Sequence, residues 1–90
     1  MSSKILVSVS NLNKILSDIV CHYPPPSSKG KNIKLKYIAQ VSTAPPLFAV
    51  FSNYPDLIGE SYRRYVENQL RKSIDLMGVP IRISFRKNKN

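Results

Sequence analysis

The stretch from Ser61 to Lys72 restricts the fold of this chain more than any other, because its apolar residues recur every three or four positions. That spacing stacks side chains on one face of an α-helix, which has 3.6 residues per turn. With its flanks, the stretch places on this face Ile58, Tyr62, Tyr65, Val66, Gln69, Leu70 and Ile74. We therefore predict a long amphipathic helix whose apolar face is covered by the rest of the domain.

A second amphipathic helix is predicted over residues 10–21, with Ser10 as its N-cap. Its apolar stripe is formed by Leu12, Ile15, Leu16, Ile19 and Val20. The prolines at 24–26 then forbid further helix and stiffen an extended connection. Gly78 and Pro80 predict the end of the long helix.

Three segments show the patterns of β-strands. Residues 33–41 alternate between two sets of side chains, which predicts a core face and an outer face. The predicted core face holds Ile33, Leu35, Tyr37, Ala39 and Val41, and the predicted outer face holds Lys34, Lys36, Ile38 and Gln40. Residues 47–51 are apolar on both faces, as expected for a strand that is central or covered on both sides. Residues 80–86 alternate again, and the side chains predicted to point inward are Ile81, Ile83 and Phe85.

The predicted order of elements is helix, strand, strand, helix, strand. A chain of 90 residues supports one modest core and therefore one domain. We predict an α+β fold of two layers, with a three-stranded sheet and both helices packed on one of its faces. The domain is expected over residues 8–87, with a linker or an artificial extension at 1–7 and a frayed tail at 88–90.

The chain is strongly basic, since 14 Lys and Arg residues against 5 Asp and Glu residues give a formal net charge of +9. This balance favours a polyanionic partner such as nucleic acid or an anionic membrane, although a solubilising surface or an acidic neighbouring domain would also fit. No apolar run approaches the ~20 residues of a membrane-spanning helix. The single Cys21 cannot form an internal disulfide, as expected in a reducing cytoplasm.

No catalytic residue and no metal site is predicted. Cys21 and His22 are adjacent and cannot share one helical site, and the chain has no second Cys or His to complete a zinc set. The pair Gly30-Lys31 lacks the upstream glycine and the following hydroxyl of a phosphate-binding loop. The chain is therefore expected to be a binding module without enzymatic activity or a cofactor of its own.

Several motifs follow one another in a characteristic order. They are Pro24-Pro-Pro26, Lys29-Gly-Lys31, Ile33-Lys-Leu-Lys-Tyr37, Gln40-Val-Ser-Thr-Ala-Pro-Pro46, Ser61 to Lys72 and Gly78-Val-Pro-Ile-Arg-Ile83. With them, the chain resembles the C-terminal KH-like domain of the bacterial Der (EngA) GTPases over nearly its whole length. The resemblance implies a longer cytoplasmic parent whose two GTPase domains use GTP and Mg²⁺ in assembly of the large ribosomal subunit. The implied partners are those GTPase domains and rRNA, and the domain is expected to be a monomer without membrane contact.

The expected function is a regulatory domain that contacts rRNA, and the alternative is a protein-docking domain that binds no RNA. An independent nucleic-acid-binding protein would require the protein to consist of this domain alone. No two glycines have the G-x-x-G spacing of the RNA-clamping KH loop, so weak and sequence-tolerant RNA contact is expected. The candidate RNA contacts are Lys29, Lys31, Lys34, Lys36, Arg63, Arg64 and Arg71. The candidate docking residues, predicted on the sheet face opposite the helices, are Ile38, Phe48, Val50 and Arg82.

Overall fold

The computed structural model describes residues 8–43, 45–74 and 81–88. The elements are α1 (Val9–His22), β1 (Leu35–Thr43), β2 (Pro46–Ser52), a 3₁₀ turn (Pro55–Leu57), α2 (Glu60–Ile74) and β3 (Arg82–Lys87). The predicted α+β class and the order helix, strand, strand, helix, strand are confirmed. The predicted linker at 1–7, the predicted helix stop at Gly78 and Pro80, and the last two residues of the predicted tail lie outside the described residues.

The sheet is mixed, and β2 is its central strand. The strand order is β1-β2-β3, with β1 antiparallel and β3 parallel to β2. Because β2 has neighbours on both sides and helices over one face, its residues are apolar on both faces, as the sequence predicted. The parallel pairing of β2 with β3 needs a long crossover connection, and α2 lies in that connection.

The N-cap of helix α1 lies two residues earlier than predicted, at Ser8 instead of Ser10. The Ser8 Oγ accepts a hydrogen bond from the backbone N–H of Asn11 at 3.2 Å. The buried residues of α1 belong to the predicted stripe and are Leu12, Leu16 and Ile19.

One side chain of α1 fastens this helix to the edge of the sheet. The Asn13 Oδ1 accepts from the N–H of Ile38, and the Asn13 Nδ2 donates to the carbonyl of Ile38, both at 3.1 Å. Ile38 lies on β1, an edge strand whose outward backbone groups need partners. The Asn13 amide therefore takes the place of a neighbouring strand at this position.

Both helices cover the same face of the sheet, as predicted. Helix α2 buries Tyr62, Val66 and Leu70, which confirms its predicted apolar face. One core joins side chains of both helices with those of all three strands, and its members include Leu12, Leu16, Ile19, Tyr62, Val66, Leu70, Ile38, Phe48 and Val50, with Ile83 and Phe85 packed against it. The inward orientation predicted for the last strand is therefore correct.

The prediction that Ile38, Phe48 and Val50 face away from the helices is wrong, since all three are fully buried in the core. The cause is a β-bulge. Leu35 lies opposite Ser52, while Tyr37 lies opposite the adjacent Phe51, so that Lys36 is an extra residue on β1. One extra residue reverses the alternation that follows it, because side chains of a strand have a period of two.

The faces predicted for the later β1 residues, including Tyr37, Ala39 and Val41, are wrong for the same reason. Tyr37 is 41% exposed and not a core residue, and Val41 is exposed as well. A second register shift lies between Gln40 and Ser42. Ahead of the bulge the predicted alternation is correct, since Ile33 is buried and Leu35 packs against the core.

The sheet face turned away from the helices, which we call the open face, carries a different set of residues. By register these are Tyr37, Ala39, Leu47, Ala49, Phe51, Arg82, Ser84 and Arg86. The rings of Tyr37 and Phe51 are stacked with centroids 4.6 Å apart. Of the four predicted docking residues, only Arg82 lies on this face.

Candidate nucleic-acid interface

A tight turn presents the first two candidate lysines. Ser28 and Lys31 exchange backbone hydrogen bonds of 3.1 and 2.9 Å. Between them, Lys29 has a φ of 52° and Gly30 a φ of 72°. Positive φ at both central positions is typical of a type I′ turn, which glycine adopts freely and lysine only at some cost in free energy. The turn leaves both Lys29 and Lys31 exposed to solvent.

The segment after this turn is tied to the end of β2 by Asn53. The Asn53 Oδ1 accepts from the N–H of Lys34 at 2.9 Å, and its Nδ2 donates to the carbonyl of Asn32 at 2.9 Å. The Lys31 Nζ lies 5.2 Å from the centroid of the Tyr54 ring, within reach of a cation–π interaction. The backbone that carries these lysines is therefore ordered by the fold, which lowers the entropy cost of binding.

Four exposed lysines follow one another on this segment, and we call them the lysine strip: Lys29, Lys31, Lys34 and Lys36. Lys34 borders a groove of about 460 Å³ with Pro24, and Lys36 borders a groove of about 360 Å³ with Cys21 of α1. The prediction placed Lys34 and Lys36 on the open face. The structure places them beside α1 and the proline segment instead, because Lys34 precedes β1 and Lys36 is the bulge residue.

Arg63 differs from the other candidate arginines because its donors are used inside the fold. Its Nε donates to the carbonyl of Ile58 at 3.2 Å, and its Nη2 donates to that of Pro55 at 3.0 Å. Its guanidinium carbon also lies 5.3 Å from the ring centroid of Phe85. Arg63 thus braces the 3₁₀ turn against β3, and its side chain is half-buried instead of lying on the solvent side of the helix.

Arg64 and Arg71 are exposed on α2. Arg64 forms the ion pair with Glu60 that the i,i+4 spacing predicts, with the Arg64 Nη2 3.1 Å from the Glu60 Oε2. Both side chains are about three-quarters exposed, so this pair contributes only a few tenths of a kcal/mol. The structure therefore brings the four lysines together on one segment and distributes the three arginines among different surroundings.

Three aromatic residues meet where α2 crosses the end of α1, and we call Tyr23, Tyr62 and Tyr65 the tyrosine cluster. Their ring centroids lie 5.1 to 5.6 Å apart. The Tyr62 hydroxyl donates to the carbonyl of Tyr23 at 2.7 Å, and the Tyr65 hydroxyl donates to the carbonyl of Ile19 at 3.1 Å. Burial, with the nearby phenol groups of Tyr65 and Tyr23 as smaller causes, raises the pKa of Tyr62 to about 12.

Sequence reasoning missed the roles of Asn13, Asn53 and the tyrosine hydroxyls. A signal for Asn13 exists, because asparagine is unfavourable inside a helix and this one stands between the apolar residues Leu12 and Ile15. Tyrosines on a buried helix face are a second signal, because a buried hydroxyl usually finds a hydrogen-bond partner. For Asn53 the sequence indicates a turn and nothing of its two backbone contacts.

Cys21 and His22 form no metal site with the rest of the described chain. The His22 Nδ1 lies 3.1 Å from the carbonyl oxygen of Asp18, and Cys21 is an exposed free thiol. Across residues 8–43, 45–74 and 81–88, no three His, Cys, Asp or Glu side chains are grouped so as to hold a metal ion. None of the helices in those same ranges has the length and apolarity to cross a membrane.

Residues 7–86 match the family described as "KH-domain-like of EngA bacterial GTPase enzymes, C-terminal". The chain belongs to this family. A relative named GTPase Der from Desulforudis audaxviator is 46% identical over 84 residues, which are 93% of this chain and 19% of the relative. GTPase Der of Amoebophilus asiaticus is 46% identical over 81 residues, or 90% of this chain and 19% of the relative. GTPase Der of Bartonella henselae is 45% identical over 84 residues, or 93% and 18%. This KH-like domain thus spans about a fifth of the length of these relatives.

Proposed function

We propose that this KH-like domain is the regulatory, rRNA-contacting part of a Der-type GTPase that acts in the cytoplasm in assembly of the large ribosomal subunit. The observation that carries the proposal is the lysine strip, which presents four exposed cations on one segment whose backbone is held by the fold. In the proposal, GTP and Mg²⁺ are bound by other domains of the parent protein. This domain itself takes no part in the chemistry, because its sequence has no phosphate-binding loop.

The lysine strip suits phosphate contact more than base recognition. Lysine ammonium groups act on phosphate as point charges, and such contacts position a protein on nucleic acid without reading its sequence. The domain has no G-x-x-G pair to clamp the RNA backbone as other KH modules do. RNA affinity is therefore expected to be modest, tolerant of sequence and steeply dependent on salt.

The test compares two double variants that remove the same charge. Lys34→Ala/Lys36→Ala should weaken binding of the 90-residue chain to a large-subunit rRNA transcript. Its slope of log affinity against log salt should fall by about 0.7–0.9 for each phosphate that is no longer neutralised. Arg64→Ala/Arg71→Ala is the matched control on α2 and should change the slope less. Equal slopes for the two variants and the wild type would contradict the assignment of the lysine strip to RNA.

A second function, docking of a GTPase domain of the parent protein, is favoured by the open face. Leu47 and Phe51 form a half-buried apolar centre there on either side of the fully buried Ala49, with Arg82 and Arg86 beside them in the register. An apolar centre with basic residues around it has the composition of a protein interface. The proposal transfers docking from Ile38, Phe48 and Val50, which are core, to these residues, while Arg82 keeps its proposed role.

Phe51→Asp should weaken association of the 90-residue chain with the GTPase portion of the parent supplied in trans, as measured by calorimetry. Val9→Asp is the matched control, because Val9 is an exposed apolar residue on α1. The free 90-residue chain is expected to sediment as a monomer. Docking that is unchanged by Phe51→Asp would exclude the open face as the interface.

A further inference from the structure

A cavity between α1 and α2 has a lining that differs from the basic surface described above. Its volume is about 400 Å³, and its lining includes Asp18, His22, Tyr23, Tyr65, Gln69 and Ser73. The rings of Tyr23 and Tyr65 stand at 84° to each other with centroids 5.1 Å apart. The edge of one ring therefore packs against the face of the other, and the two rings enclose a right-angled corner. Tyr23 is 52% exposed, so solvent reaches this corner.

The chemistry of this corner suits a cation. Aromatic faces carry the negative part of the ring quadrupole, and a cation within about 6 Å of a ring centroid is attracted to it. The carboxylate of Asp18 lines the same cavity. The last carbonyls of α1, the negative end of its dipole, also lie here, since α1 ends at His22.

Other rings of the domain already pair with cations of the chain itself. Lys31 lies over Tyr54, and Arg63 lies over Phe85. Within the described part of the chain, no lysine or arginine lies over Tyr23 or Tyr65 in this way. We propose that the corner formed by Tyr23 and Tyr65 binds the guanidinium group of an arginine side chain from a partner protein.

Arginine fits this corner better than lysine does. Its guanidinium is planar, so that it can stack on one tyrosine ring while its N–H groups donate to the Asp18 carboxylate. It is also more weakly hydrated than an ammonium group, so that its transfer from water into the corner costs less hydration free energy. The net charge of +9 opposes a free cation, but at physiological salt this repulsion is largely screened beyond about 8 Å.

Both walls of the corner are held in place by hydrogen bonds of the fold. The Tyr65 hydroxyl donates to the carbonyl of Ile19, and the N–H of Tyr23 donates to the same carbonyl at 3.1 Å. The carbonyl of Tyr23 accepts from Tyr62, which is buried behind the two walls. Binding therefore requires little ordering of the site, and this lowers its entropy cost. The inference goes beyond the proposed RNA contact and does not depend on it.

The experiment is an NMR titration of the isotope-labelled 90-residue chain with N-acetyl-arginine methylamide. The neutral probe of similar length is N-acetyl-norleucine methylamide. The arginine derivative should shift the ring signals of Tyr23 and Tyr65 and the amide of Asp18, with a dissociation constant on the order of 10 mM for a single side chain. The norleucine derivative should bind at least about threefold more weakly, because it has no charge to offer the rings.

Two variants of the site and one control complete the test. Tyr23→Leu removes one wall while keeping an apolar residue and should weaken arginine binding by about threefold or more. Asp18→Asn removes the carboxylate of an exposed side chain and should weaken it about twofold to threefold. Tyr37→Leu, which removes an exposed tyrosine of the open face, should leave the dissociation constant unchanged.

Three results would overturn the proposal. The first is equal binding of the arginine and norleucine derivatives, which would make the corner merely apolar. The second is unchanged arginine binding in both Tyr23→Leu and Asp18→Asn when their amide spectra show a native fold. The third is a set of shifts centred on the lysine strip or the open face. Loss of RNA binding in Lys34→Ala/Lys36→Ala has no bearing on these outcomes, so the two proposals fail separately.

Discussion

The two faces of the sheet carry similar apolar residues and have different surroundings. On the helix-covered face, Ile38, Phe48 and Val50 have no exposed surface. On the open face, Tyr37 and Phe51 stack on each other, and Tyr37 remains 41% exposed. Hydrophobicity does not distinguish the two sets. The side chains that enter the core are instead set by the pairing register with β2, and the bulge at Lys36 keeps that register despite one extra residue in β1.

The largest effect is expected from placing the same charge on each face in turn. Phe48→Asp should lower the free energy of unfolding by about 4–5 kcal/mol, because it removes a buried ring and puts a carboxylate in its place. A domain of this size has only about 5–10 kcal/mol in total, so this variant should lose a large part of its stability. Phe51→Asp should cost about 1–2 kcal/mol and remain folded. Urea unfolding followed by circular dichroism measures the free energy of unfolding of both variants. Equal losses in the two would contradict the assignment of Phe48 to the core and Phe51 to the open face.

A smaller effect should follow when the helix layer is released from the sheet edge. Asn13→Ala leaves the N–H and the carbonyl of Ile38 without their side-chain partner and should cost about 1–3 kcal/mol. Asn11→Ala is the matched control on the same helix, because only the backbone of Asn11 takes part in the N-cap bond. That control should stay within about 0.5 kcal/mol of the wild type in the same unfolding experiment. If Asn13→Ala lowers the free energy of unfolding no more than Asn11→Ala does, water hydrogen-bonds the N–H and the carbonyl of Ile38 as well as the Asn13 amide does.

The buried Tyr62 predicts that the free energy of unfolding depends on pH in alkaline solution. Tyr62 has a pKa of about 12 in the folded domain and 10.0 as its ordinary value. From pH 10 upward the unfolded chain loses this proton first, so the free energy of unfolding falls as pH rises toward 12, and below pH 10 the group contributes no pH dependence. Tyr62→Phe removes the hydrogen bond to the carbonyl of Tyr23 and should therefore lower the free energy of unfolding by about 1 kcal/mol near neutral pH.

The difference in free energy of unfolding between wild type and Tyr62→Phe should shrink and then reverse as pH rises from 10 to 12, because the variant has no phenol to ionise at this position. Denaturant unfolding at several alkaline pH values measures this difference. A difference for Tyr62→Phe that is independent of pH would contradict the raised pKa.

The smallest effect is expected from deleting Lys36, the extra residue of the bulge in β1. Without Lys36, the pairs Leu35–Ser52 and Tyr37–Phe51 become consecutive steps of a regular ladder, and each side chain keeps its face. The deletion should therefore cost less than about 1 kcal/mol. Deletion of Ala49 from β2 is the contrasting control, because it would turn the residues on one side of it to the wrong face and should unfold the domain. An unfolded Lys36 deletion would show that the bulge has a role beyond register.

Long, repeated patterns in the sequence predicted the fold well. The stripe of α2 is confirmed by Tyr62, Val66 and Leu70. The double-sided apolarity of residues 47–51 predicted a strand that is either central or covered on both sides, and β2 is the central strand. These signals succeed because many residues contribute to each one, so that a single exception does not change the average.

Local events escaped prediction, and most of the errors at the candidate site come from one of them. A bulge such as that at Lys36 adds one residue to a ladder and cannot be recognised from composition. Because the prediction assumed a regular strand, it assigned the residues after Lys36 to the wrong faces and took buried residues as docking residues. Capping of α1 by Ser8 instead of Ser10 is a second case, because serine is a good N-cap residue at either position. The bracing role of Arg63 is a third, since it depends on carbonyls brought together only by the folded turn.

The mixed pairing of β2 has a consequence for the order in which the domain folds. Its antiparallel partner is close in the chain, where Thr43 pairs with Pro46, but its parallel partner is distant, where Phe48 pairs with Ile83. Closing the longer loop costs more entropy and must wait for contacts that compensate it. We expect the β1–β2 hairpin in the transition state and β3 docking after it. Conservative truncation of Ile38 should then slow folding, whereas truncation of Ile83 should mainly speed unfolding.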